Sequence, residues 1–175
     1  LPTTTQIIIG LSHFLSNNLI LSILILIGLA VSPIALARSP RTKPFVDLVI
    51  LKMPIIAPIV RETNAARTAR TLSSLLSAGV EVVNALAITE EVLQNTFYKK
   101  VLREAGAKVE KGVPISDAFA AHEDLYPPLV GEMIAVGEET GKLADMLEQV
   151  ALFYENEVEM QTKNMSSIIE PFLMV

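Results

Sequence analysis

Four groups of residues in this chain have types suited to chemistry, and their spacing decides what each can do. GEETGK, from Gly137 to Lys142, carries two glycines and a lysine in the order of a phosphate loop. A true phosphate loop needs four residues between its glycines and a Ser or Thr after the lysine to hold magnesium. Here three residues intervene and Leu143 follows, so a tight corner between the helical stretches MIAVGEE and LADMLEQV is expected instead. Glu148, Glu155 and Glu159 recur near one face of a helix with Glu157 beside them, which makes them the candidate metal ligands. Calcium takes about six or more oxygens, and the spacing of an EF-hand loop is missing. A solvated helix face is therefore the expected role, with a divalent ion shared at a subunit interface as the alternative. His122, Glu123 and Asp124 lack the spacing of a zinc-protease helix, and Pro127 close behind marks them as an exposed loop. Ser73, Ser74 and Ser77 lie on a helix with Arg67 and Arg70, but a nucleophilic serine needs a positioned base and neither His13 nor His122 has a route to one. Small side chains that let helices approach closely are the better account of ARTLSSLLSAG. No catalytic residue and no cofactor is implied.

Arg70 stands out, because a charge beside an apolar helix face usually meets a carboxylate; Glu138 and Glu139 are the expected partners. With Arg61 and Arg67 it forms a basic stretch that is a candidate contact surface. Gly79, Gly112, Gly137 and Gly141 are the candidate turn and packing positions.

The elements that must hold these groups follow from periodicity and punctuation. Pro40, Pro44, Pro54 and Pro58 bracket a short helix from Phe45 to Met53. A long helix follows from about Ile59 to Ser77, with Ala65, Ala69, Leu72, Leu75 and Leu76 on one side and Gly79 as its stop. Val82 to Leu93 is the next, then a helix capped by Asn95 that runs to about Lys111 and is closed by Gly112. Pro114 opens a short helix through Ala121, and Pro127 and Pro128 start another. From Leu143 onward Leu147, Val150, Tyr154, Val158, Gln161, Met165, Ile168 and Phe172 step by three or four, the period of one long straight helix. No alternating strand pattern of useful length occurs. The expected fold is all-α: a transmembrane helix, then an antiparallel bundle of about six helices whose long last member enters a further membrane segment.

Charge distribution gives the membrane reading. No Asp, Glu, Lys or Arg occurs from Leu1 to Ala37, and Arg38, Arg41 and Lys43 follow at once. Residues 19–37 reach roughly 28 Å as a helix, close to the thickness of a bilayer core. Lys and Arg collect on the cytoplasmic side of a span, which puts residues 38–165 in the cytoplasm and 1–18, an amphipathic helix, at the outer interface. Residues 166–175 read as the start of a second span. A cleaved signal peptide is excluded by the uncharged start and the basic cluster that comes after the apolar run. From Arg38 to Arg70 the balance is +5 within a chain of net charge −5, so the remainder is strongly acidic and repels nucleic acid. The absence of Cys excludes disulfides, thiolate metal sites and cysteine nucleophiles.

ARTLSSLLSAGVEVVNALAI, KGVPISDAF and YPPLVGEMIAVGEETGKLADMLEQVALFYENEVE, in that order, closely resemble the inner-membrane platform proteins of type II secretion and type IV pilus machines. The similarity runs from LPTTTQ to IIEPFLMV. It implies that the chain corresponds to the second half of a protein with two homologous cytoplasmic helical domains and three spans. It further implies a non-enzymatic role: coupling a hexameric cytoplasmic ATPase to extraction of pilin or pseudopilin subunits, beside other inner-membrane machine components, as a homo-oligomer. Thr68, where the family often has an aromatic, and Glu81, where it often has Pro, depart from the pattern. A signalling or transport subunit with a ligand-binding helical domain is the rival reading, and it predicts ionisable groups within the spans. Residues 19–37 hold none, and Glu170 is the one such group near the second.

Overall fold

The computed structural model describes residues 42–54 and 56–173, with side chains through residue 163. The expected outer helix at 1–18 and span at 19–37 lie outside the described residues, as do the side chains of 166–175. Seven helices and no strand occur among the described residues: α1 Lys43–Lys52, α2 Ala57–Ser77, α3 Val82–Val92, α4 Thr96–Val109, α5 Ile115–Ala120, α6 Pro128–Thr140 and α7 Leu143–Leu173. The short helix expected after Pro114 is present as α5.

Three helix ends are closed by the same device. After α2 the Gly79 N–H donates to the Leu76 carbonyl and the Val80 N–H to Leu75, with Gly79 at φ +81°. Gly112 and Val113 repeat the pair on Val109 and Lys108. After α6, Gly141 at φ +68° lets the Lys142 N–H reach back to the Gly137 carbonyl at 2.9 Å. Each left-handed residue satisfies carbonyls that the helix end leaves bare, and glycine adopts it without steric cost.

Among the described residues α2 and α7 share the most extensive contact. They run antiparallel, because cross-links at Glu62, Arg70 and Ser73 meet Gln161, Glu155 and Ala144 in descending order. Small residues make the approach close: Ala65, Ala66 and Ala69 of α2 and Ala151 of α7 are all buried. The rest of the core is filled by Leu86, Leu93, Leu102, Ile134, Leu147 and Val150 and by three aromatic rings. Tyr98 and Phe119 both meet Tyr126 edge to face, with centroids 5.1 and 4.8 Å from its ring. This arrangement matches the ring quadrupoles.

A polar tie fixes the first helix to the bundle. Asp47 on α1, 8% exposed, accepts from the backbone N–H and the hydroxyl of Thr96, both at 2.8 Å, so α1 is pinned to the N-terminus of α4. Asn95 adds the local cap, its side-chain oxygen accepting from the Phe97 N–H at 3.0 Å. No helix among the described residues is long and apolar enough to cross a membrane.

Candidate functional site

Arg70, Ser73, Glu148 and Glu155 meet at the α2–α7 pair, the arginine with different partners from those expected. Arg70 meets Glu155 side-on: Nε donates to Oε1 at 2.9 Å and Nη2 to Oε2 at 2.6 Å, while Nη1 lies 3.7 Å from Glu148. The expected pairing with Glu138 or Glu139 is thus corrected. Antiparallel packing places Glu148 and Glu155 of α7, and not the α6–α7 corner, beside Arg70 of α2. Glu139 is exposed at the end of α6. The hydrogen bond from Arg70 holds the Glu155 carboxyl below the usual carboxylate range, against a smaller opposing effect of burial.

Glu138 has other work. Its Oε1 accepts from the Ile115 N–H at 2.6 Å, and its Oε2 accepts from the Ser116 N–H at 3.0 Å and the Ser116 hydroxyl at 2.6 Å. A carboxylate supplied by α6 thereby caps the start of α5, where bare N–H groups and the helix dipole favour negative charge.

The acidic residues weighed as metal ligands are engaged by cations of the chain itself. Glu155 and Glu148 face Arg70, and Glu159 accepts from Lys163 one turn along at 2.7 Å. Among the described residues no group of three or more His, Asp or Glu is arranged to hold a metal ion. His122 lies 3.1 Å from Glu104 and forms no cluster with Glu123 and Asp124. Of the three serines, Ser73 donates across the helix interface to the Ala144 carbonyl at 2.8 Å, and Ser74 bonds back to Arg70 of its own helix.

A cleft of about 330 Å³ opens beside the Arg70–Glu155 pair. Thr63, Ala66, Arg67 and Thr71 form its α2 wall, and Val158 with Glu155 its α7 wall. Arg67 is exposed at its rim. Arg61 lies one and a half turns earlier, its Nε buried without a hydrogen-bond partner, as is Oε2 of the adjoining Glu62. The other oxygen of Glu62 accepts from Gln161 at 2.9 Å. Burial raises the Glu62 carboxyl above its ordinary value, with the Glu157 charge adding and the Gln161 bond opposing.

Gly137, at the end of α6, is where the corner is tightest. A Cβ there would lie 2.8 Å from the Cα of Leu143 and 3.3 Å from its N. Sequence reasoning missed Asp47, Thr68, Glu62 and the true task of Glu138. Thr68 carried a signal only as a departure from the family pattern; it is buried, its hydroxyl 3.0 Å from the Tyr126 hydroxyl.

The Arg70–Glu155 pair is expected to contribute about 0.5–1 kcal/mol in a double-mutant cycle with Arg70→Ala and Glu155→Ala, since both groups are more than a third exposed. A lowered folded value means the pair adds stability above the ordinary carboxylate value of 4.5 and loses it as pH falls through the folded value. Urea unfolding at pH 7 and pH 3 checks both: the coupling should be larger in the first than in the second.

An all-helical scaffold domain, closed by a helix far longer than the rest, is what these elements and contacts define. Residues 68–175 match the family model of the type II secretion system (T2SS), protein F, and the chain belongs to that family. It is 34% identical over its whole length to the type IV pilus assembly protein PilC of Thermus thermophilus, covering 43% of that protein. PilC of Myxococcus xanthus is 33% identical over the whole chain, which covers 42% of it. The type II secretion system protein F of Aeromonas hydrophila is 34% identical, again over the whole chain and 45% of the relative. The chain thus spans less than half the length of these curated relatives.

Proposed function

We propose that this chain is the second half of an inner-membrane platform protein of a type IV pilus or type II secretion machine. Residues 19–37 and 166–175 onward belong to spans in the bacterial cytoplasmic membrane, and 38–165 form a cytoplasmic bundle between them. Its work is mechanical and not enzymatic: it receives motion from a hexameric assembly ATPase and presents it to pilin or pseudopilin subunits in the bilayer. Homo-oligomers of the platform, among other inner-membrane components, are its setting.

The observation that carries this reading is α7. It leaves the bundle and continues without a break to Leu173, through Ser166, Ser167 and Pro171, where the sequence turns apolar. A continuous helix transmits displacement that a flexible linker would dissipate. Deleting the gene is expected to abolish pili or secretion while the subunits remain in the membrane. A complementing copy with three glycines inserted after Lys163 should fold its bundle normally and still fail to restore assembly. Normal assembly in the deletion strain, or full rescue by the glycine insertion, would sink the proposal.

A further inference from the structure

From the outward side of α1 we infer a second, direct contact with the membrane: α1 and the turn after it lie in the lipid interface, in addition to the proposed span. The inference rests on the proposed span at 19–37 only for its location.

The orientation of α1 carries the argument. Its inward side is set by Asp47 and Leu51, one turn apart and both buried, with Asp47 tied to Thr96. The opposite side presents Val49 with Leu48 on its flank, and the turn that follows adds Met53 and Ile56. These four are between 36% and 43% exposed, on an element whose packing could as well have turned polar residues outward. Single exposed apolar residues mean little, but a contiguous group on the side away from the core marks a contact surface.

Charge names the occupant. Asp47 is the one acid between Arg38 and Arg61, and it faces inward as a cap, so the outward side carries apolar residues and the exposed Lys52 alone. Arg38, Arg41 and Lys43 precede it in the sequence. Apolar side chains flanked by Lys and Arg, with no outward carboxylate, suit a bilayer surface of anionic headgroups. A protein partner that read this charge would need acidic side chains around an apolar patch; the lipid surface supplies both and lies close by. Residues 38–42 separate the expected end of the span from α1, a distance of at most roughly 20 Å even when fully extended.

The absence of native cysteine makes the test direct. The full chain, reconstituted in phosphatidylglycerol-containing vesicles, would carry a nitroxide at Val49→Cys, Met53→Cys or, as an aqueous control, the exposed Ala107→Cys. Accessibility to oxygen and to a water-soluble nickel chelate is then measured. The two α1 sites are expected to show an oxygen-to-nickel ratio several-fold above that of Ala107→Cys, placing them below the headgroups. An aqueous profile at Val49 overturns the inference, and so does shielding from both reagents, which would mean a protein covers the face. Resistance to carbonate extraction, read on the same vesicles, reports the span separately. A retained chain with an aqueous Val49 overturns the α1 contact alone, whereas an extracted chain sinks the span and this inference together.

Discussion

Gly137→Ala is expected to destabilise the bundle by about 2–3 kcal/mol, the cost of forcing a methyl group into a packed contact. The added Cβ would meet the Cα of Leu143 at 2.8 Å, and that atom belongs to the backbone of the first turn of α7, which cannot rotate away. Relief requires α7 to move off α6, which would also break the 2.9 Å bond from the Lys142 N–H to the Gly137 carbonyl. Two other glycines supply the controls. At Gly131 a Cβ makes ordinary contact with Ala120 at 3.7 Å, and at Gly106 it meets nothing within 4 Å. Alanine at either helical position should be neutral or stabilising by about 0.5–1 kcal/mol. Thermal and urea unfolding of the three variants separate these outcomes, and equal behaviour of all three would show that the corner is not sterically closed.

Tyr126→Ala is expected to cost more, about 3–5 kcal/mol, because it empties a fully buried aromatic site. Tyr126 is 1% exposed and is the ring that both Tyr98 and Phe119 pack against. Its hydroxyl is paired with Thr68 on α2, so the loss extends from the α5–α6 connection to the central helix pair. Finer variants separate packing from hydrogen bonding. Thr68→Val strands the Tyr126 hydroxyl and should cost about 1–3 kcal/mol, whereas Thr68→Val with Tyr126→Phe removes both partners and should recover most of it. Urea unfolding of the single and double variants reads this directly. Burial also pushes the Tyr98 and Tyr126 phenols above their ordinary value of 10. The native state then holds protons that the unfolded chain releases, so stability should fall as pH rises above about 10.

Helix ends were the most legible part of the sequence, because each is written in one or two adjacent residues. Gly79, Gly112 and Gly141 are all left-handed, Asn95 caps α4, and Pro114 and Pro127 sit just before α5 and α6. Contacts between helices were not legible. Periodicity tells which face of α2 Arg70 occupies, but it leaves free how far α7 slides along that face. Glu138 and Glu139 were the nearest acids in sequence to the corner, while Glu155 lies several turns further along a helix that packs antiparallel. The same freedom hid Thr68–Tyr126 and Asp47–Thr96, whose members stand 58 and 49 residues apart. Glu138 shows a further limit. A carboxylate that caps a helix supplied by another segment leaves no local pattern, since the residues it serves, Ile115 and Ser116, sit beside an unremarkable Pro114.

The length of α7 turns small adjustments in the bundle into large ones outside it. Gln161 of that helix still bonds Glu62 of α2, and Leu173 is the helix end, 12 residues further on. At 1.5 Å per residue the stretch beyond that bond is about 18 Å. Tilting that stretch by about 10° carries the tip roughly 3 Å sideways, about the rise of two residues. Its base moves hardly at all. Amplification of this kind needs no soft core, only a stiff rod anchored at one end by side chains as tightly held as Leu147, Val150 and Tyr154.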